Sequence, residues 1–174
     1  MIAFKVLAPG RVAPFTGFPW PEGEWVEAET VEQCRSGIHA CRVRDLPYWL
    51  GPELWEIELE GEVVEQTHKL AARRGRLLDR VPDWNDGLLR AFTASCRDQT
   101  RLRVGSIPVL SGYVGDIDRF RQRDRHGLAA FASARAAEVV GGPNAYERER
   151  ARQAAWLADR LGLAEAQGAQ ALEP

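Results

Sequence analysis

Trp55-Glu56-Ile57-Glu58-Leu59-Glu60 alternates apolar and acidic side chains without a slip, and Gly61 follows it. A period of two places Trp55, Ile57 and Leu59 on one face of a strand and the three glutamates on the other. Reading outward, Val63-Val64 continues the same sheet and Arg76 to Val81 forms a further strand. Upstream, Ile2 to Leu7 is an opening strand closed by Pro9-Gly10, and Gly37 to Cys41 is a short strand. Asp45 caps a helical turn running to Trp49, with Pro47 tolerated in its first turn. Residues 14–25 hold three prolines and two glycines among four aromatics, which makes an irregular, semi-rigid segment whose rings are expected to lie against the sheet.

The pattern changes after Val81. Asp83 or Asn85 caps a helix on which Leu88 or Leu89, Phe92 and Cys96 recur at helical spacing. Residues 104–115, rich in glycine, read as a connector. Leu128, Phe131, Arg135 and Val139 mark another helix, stopped by Gly141-Gly142-Pro143. In the last helix Asn144 caps, Glu147 takes the capping-box position, Ala154, Leu157 and Leu161 form the apolar stripe, and Gly162 ends it. Strands first and helices second give an α+β class: an N-terminal, mostly antiparallel sheet half packed with C-terminal helices. The expected organisation is one domain over 1–163, strand-rich over 1–82 and helical over 83–163, with a flexible tail at 164–174. A chain divided near residue 82 is the alternative.

Composition sets the class of molecule. The chain has 174 residues, 45% hydrophobic and 28% charged, with a net charge of −2, which excludes disordered, collagen-like and coiled-coil chains. No apolar run approaches the roughly 20 residues of a membrane span. The opening residues lack a secretory-signal pattern, so a soluble, cytoplasmic protein with reduced thiols is expected. Residues 22–65 carry a net of −9 and residues 66–125 a net of +6, read here as complementary surfaces within one fold. Arg119, Arg121, Arg123 and Arg125 would form a basic ridge on a strand and would spread around the axis on a helix. The negative total charge argues against nucleic acid as a partner. Glycine-rich phosphate loops, Gly-x-Ser-x-Gly elbows and His-Glu-x-x-His motifs are absent from the sequence. Neither a cofactor nor an oligomeric state can be read from it.

Reactive side chains concentrate in Cys34-Arg35-Ser36-Gly37-Ile38-His39-Ala40-Cys41. On a strand, Ile38 and Ala40 face one way, into the core, and His39 and Cys41 face the other. His39 is then the candidate acid–base or substrate-orienting group, since imidazole titrates near neutral pH. A Cys41 nucleophile activated by His39 is geometrically poor, because strand neighbours two apart sit about 6–7 Å from each other. A metal reading uses Cys34, His39 and Cys41 with Cys96 as a fourth ligand, although Cys-x4-His-x-Cys is not a standard zinc spacing. Tyr48 is the candidate catalytic partner of His39, and Trp20, Cys41 and Trp49 are candidate pocket-lining residues. Two functions follow: a pocket enzyme acting on a small molecule, or a non-catalytic binding or accessory module in which the Cys34/His39/Cys41 element is structural.

The motif Cys34-x-x-Gly37-Ile38-His39-Ala40-Cys41 resembles the hallmark of an uncharacterised family found in actinobacteria and phages. Its members share Cys-x-x-Gly-Ile/Phe-His-Ala-Cys, an aromatic segment, a strand ending Glu-Leu-x-Gly-Glu-Val and a Lys-centred strand. Here those later parts are Tyr48-Trp49, Glu58-Leu59-Glu60-Gly61-Glu62-Val63 and Lys69-Leu70-Ala71-Ala72. The resemblance covers roughly residues 3–84 and implies that the His and Cys positions act as a unit, without implying an activity. A looser likeness, to the ADP-ribosyltransferase fold, rests on the order strand, short aromatic helix, strand from Ile38 to Gly61. It would imply NAD binding, but this chain has no early His-Gly-Thr element and no acidic residue marked out for that chemistry.

Overall fold

The computed structural model describes residues 1–31, 36–105 and 107–163. Its organising element is a long hairpin: β4 (Glu53–Gln66) turns at Thr67-His68 into β5 (Lys69–Arg80). The alternating stretch lies inside β4, with Trp55, Ile57 and Leu59 buried as its period requires. The acidic face is not left to water alone. Glu58 pairs with Arg76 and Glu60 with Arg74 at facing positions of the hairpin. Oppositely charged neighbours across a strand pair are stabilising, so the acid-to-base gradient is here partly an internal complementarity.

Strand β1 (Ile2–Leu7) adds to β4, while β2 (Trp25–Glu27) and β3 (Ile38–Ala40) add to β5, all antiparallel. The two ends of this sheet then meet. Phe4 and Cys41 exchange both backbone hydrogen bonds, at 2.8 and 2.7 Å, so that β1, β4, β5 and β3 form a ring. Ala3, Leu7, Ile38, Ala40, Ile57 and Leu77 belong to one buried cluster of this ring. Gly75 shows how tightly it is filled: a Cβ there would lie 2.6 Å from Ile38 Cγ2 and 3.0 Å from Ile57 Cδ1. Phe4, Cys41 and Leu54 join a different cluster, with Trp84, Phe92, Cys96 and Leu157 of the helical half. The two halves therefore share a core.

Helix α1 (Asp86–Val104) starts where expected, with the Asn85 side chain accepting from the Leu88 N–H. It is followed by α2 (Gly112–Gln122), α3 (His126–Gly141) and α4 (Pro143–Leu161). Gly162 ends α4 in the left-handed region, φ +62°.

Several expectations are corrected. Asp45 is not the cap of the turn after β3. That turn is a short 3-10 helix, Val43–Tyr48, and Asp45 sits in its first turn, accepting from the N–H and Nε of Arg42. Asn144 does not cap α4, because Gly142 takes the cap position and Pro143, lacking an N–H, opens the helix. Helix α3 lies where its punctuation placed it but turns its other face inward. Leu128, Phe131, Arg135 and Val139 are exposed, whereas Ala129, Ala130, Ala132, Ala134, Ala136 and Ala137 are buried. Small side chains permit close approach to α1 and α4, and larger ones would not fit at that spacing. The connector is shorter than 104–115, since α2 already begins at Gly112. Arg119 and Arg121 lie on that helix and so form no strand ridge with Arg123 and Arg125. Phe15 stands 87% exposed instead of packing on the sheet. The tail at 164–174 and Cys34 lie outside the described residues.

Candidate functional site

The ring has a seam. In an antiparallel pair, backbone groups facing the partner strand recur every second residue. Cys41 directs its N–H and C=O at β1, so the carbonyl of His39, two residues back, also points there. Phe4 and Cys41 are the bridged pair, and no strand ladder joins β1 to β3 beyond them among the described residues. Lys5 reaches across instead, its Nζ donating to the His39 carbonyl at 2.7 Å. The ammonium thus supplies the donor that a ladder N–H would have supplied.

A hollow of about 930 Å³ lies along this seam, lined by residues 4–7 of β1 and Ala8 on one side and residues 36–41 on the other. The irregular segment 13–20 and the Tyr48–Pro52 stretch complete its walls. His39, Tyr48, Trp20, Cys41 and Trp49, the catalytic and pocket-lining candidates of the sequence, all line it.

Their environments differ. The His39 Nε2 atom is buried and has no hydrogen-bond partner among the described residues. Burial, followed by the nearby charges of Lys69 and Lys5, holds its pKa below the ordinary histidine value, which keeps the ring uncharged at neutral pH. Cys41 is 3% exposed and sits at the base of the hollow against the core. Burial, with Asp45 adding to it, pushes its thiol well above the usual range, so it is a poor nucleophile.

Tyr48 faces the hollow, but its ring partners are not His39. Its ring stacks on that of His68 at 3.7 Å between centroids and 13° between planes, and the Arg150 guanidinium lies 4.4 Å from its centroid. Burial is the main influence that pushes the Tyr48 hydroxyl up to about 12, against the opposing charge of Arg150. The hydroxyl is therefore a proton donor at neutral pH and not a base. Trp49 is tied to the same turn, its Nε1 donating to the His68 carbonyl. Trp20 is 5% exposed and packs edge-on to Phe18 at 5.7 Å.

The motif around His39 now divides by role. Gly37 adopts φ +122°, a conformation open to glycine, beside Ala71 and Ala72 of β5. Ile38 and Ala40 pack inside the ring, and Cys41 closes it. Of the motif's described residues named above, Ile38, Ala40 and Cys41 belong to core clusters and His39 does not. Among the described residues no three His, Cys, Asp or Glu side chains gather to hold a metal ion.

Lys5 is the residue the sequence reading left out. Its Nζ lies 4.4 Å from the centroid of the Trp20 ring, and it makes no ion pair with a carboxylate among the described residues. Burial lowers its pKa to about 8, while the Cys41 thiol acts weakly in the opposite direction. One signal was available. The chain carries 21 arginines and two lysines, Lys5 and Lys69, and both line the hollow.

Residues 1–86 are similar to the family model described as a domain of unknown function, DUF7666. That span runs from the first strand to the start of α1 and includes every residue lining the hollow. No curated protein and no solved structure matches the chain. No helix among the described residues is long and apolar enough to cross a membrane.

Proposed function

We propose that the seam hollow binds a small molecule and that His39 is its acid–base or orienting group, with Tyr48 on the adjoining wall. The observation that carries this reading is His39: it lines a hollow large enough for a ligand, and its buried Nε2 atom is uncommitted to any described protein group. Leaving a buried polar atom without a partner costs about 1–3 kcal/mol, a cost that a ligand contact at that nitrogen would remove. Aromatic walls of Trp20, Trp49 and Tyr48 suit the apolar body of such a ligand. An imidazole that is uncharged at neutral pH can accept a proton, and the Tyr48 hydroxyl can donate one. A cytoplasmic setting, in which Cys41 and Cys96 remain thiols, belongs to the same proposal.

The test is a thermal-shift screen of the wild-type protein and His39→Ala against small metabolites, NAD included. At least one compound should raise the wild-type melting temperature and leave the variant unmoved. If His39→Ala keeps every response, the reading fails. The second reading, a non-catalytic module, draws on the packing of Gly37, Ile38, Ala40 and Cys41 around the imidazole. It expects His39→Ala to lose stability and the protein to show no ligand response or turnover.

A further inference from the structure

We propose that Lys5 is the reactive amine of the hollow, condensing with the carbonyl carbon of an aldehyde or ketone ligand to form an imine. The inference rests on the reading of the hollow as a small-molecule site and assigns that ligand a chemical class.

The first support is the distribution of the two lysines. Arginine supplies 21 of the 23 basic side chains, so positive charge alone gives no reason for lysine to appear only beside the hollow. What lysine offers and arginine does not is a proton it can lose, leaving a nucleophilic amine. The second support is geometry. Lys5 Nζ is held at a defined point by the His39 carbonyl at 2.7 Å and the Trp20 ring at 4.4 Å. One N–H is committed to that carbonyl, and the lone pair of the neutral amine remains available. The third is the absence of a counter-charge: no carboxylate lies within ion-pair distance of Lys5 among the described residues. The remaining titratable groups of the hollow are His39 on β3, Cys41 just after it, Lys69 at the start of β5, Glu27 on β2 and Tyr48 in the turn after β3. Burial, the dominant influence, places the Lys5 pKa near 8, so an appreciable neutral fraction exists at mildly alkaline pH.

The step balances without an oxidant or reductant. The amine lone pair adds to the carbonyl carbon, forming a C–N bond, and the oxygen takes a proton to give a carbinolamine. That hydroxyl takes a second proton and leaves as water while the nitrogen releases its protons, leaving C=N. His39 Nε2, uncharged and without a described partner, is suited to pass protons in this exchange. The aromatic walls favour an aldehyde with a flat, apolar body.

The experiment treats the full chain with benzaldehyde and sodium cyanoborohydride at mildly alkaline pH, then maps the reduced adducts by peptide mass. Two lysine side chains compete, Lys5 and Lys69. The Lys5 adduct should form at least about ten-fold faster than the Lys69 adduct, because burial favours the neutral form of the Lys5 amine. Lys5→Arg, which keeps a donor for the His39 carbonyl, should fold with an unchanged melting temperature and lose the fast adduct. Equal labelling of the two lysines, or slower labelling of Lys5, overturns the proposal. If the metabolite screen gives a His39-dependent response but Lys5 shows no preference, this inference falls and the small-molecule reading stands. If both fail, both fall.

Discussion

The Glu149 cluster of the helical half and the Lys5–His39 pair of the strand half bury their polar groups in different ways. In the helical half, Glu149 of α4 is fully buried and every part of its carboxylate is engaged: Arg103 of α1, Arg152 of its own helix, Ser133 of α3 and Gln153 all donate to it. Gln153 also donates to the Ala130 carbonyl, and the Thr100 hydroxyl donates to Ser133, so one network ties three helices together. Burial alone would raise the Glu149 pKa, but the hydrogen bonds and charges of Arg152 and Arg103 hold it below the ordinary value. In the strand half, the amine of Lys5 meets a carbonyl and a ring but no carboxylate, and the Nε2 of His39 meets nothing among the described residues. The Glu149 carboxylate is thus matched by opposite charge inside the fold, whereas the Lys5 amine and the His39 imidazole are not.

Arg150 marks the junction. It reaches from α4 to donate to the Pro47 carbonyl and also to Tyr146 and Gln153, with its guanidinium near the rings of Tyr48, Phe131 and Tyr146. Through it the helical half holds the turn that carries Tyr48. Anchoring a site residue from a second element is how its rotamer is locked.

The contrast can be broken most directly at Glu149. Glu149→Ala should destabilise the fold by about 3 kcal/mol, because it leaves Arg103 and Arg152 facing a buried void with no opposing charge. Urea unfolding measures this, and a loss under about 1 kcal/mol would mean that the network is not what joins the helices. Lys5→Met should cost about 1 kcal/mol or less, since losing the donor to the His39 carbonyl is offset by no longer burying an amine. A loss as large as that of Glu149→Ala would make Lys5 a seam fastener and erase the distinction between the halves.

The smallest effect is in pH. His39 and His126 have folded-state pKa values below their unfolded ones, burial being the main cause in each. The unfolded chain therefore takes up protons first as pH falls. Their contribution is complete above the unfolded value of about 6.5 and declines as pH drops through it. His39→Gln should flatten that part of the stability profile and leave the share of His126. Glu149 acts at lower pH with the same sign, its stabilisation being lost as pH falls below the unfolded carboxylate value. An unchanged profile in His39→Gln would show that the imidazole is as well solvated in the fold as out of it.

Much of the strand half was legible locally. The strict alternation of 55–60 needs only the period of two to be recognised, and Ile38 and Ala40 follow from the same rule. That rule also placed His39 and Cys41 together on the other face, and the hollow holds them with Trp20, Tyr48 and Trp49. What was not legible has physical causes. The α3 pattern misled because exposed Leu128, Phe131 and Val139 outweigh alanines on any hydrophobicity scale, while close helix packing selects for size. Lys5 was hidden because nothing in Phe4-Lys5-Val6 distinguishes an inward amine from a solvent-facing one. The pairing of Tyr48 with His68 depends on the tip of the β4–β5 hairpin returning beside the turn, and residue spacing does not report such a meeting.

The chain by itself determined most of the strands and helices, β2 and α2 excepted, which faces of the central strands are apolar, and that its few reactive side chains cluster near His39. Those are consequences of side-chain chemistry read at one or two residues' range. Only the tertiary structure decided that the sheet's ends meet at Phe4 and Cys41, that they part again immediately after, and that an amine and an imidazole stand at the gap. Closure depends on the curl accumulated along a long hairpin, a sum over many residues that no single position encodes.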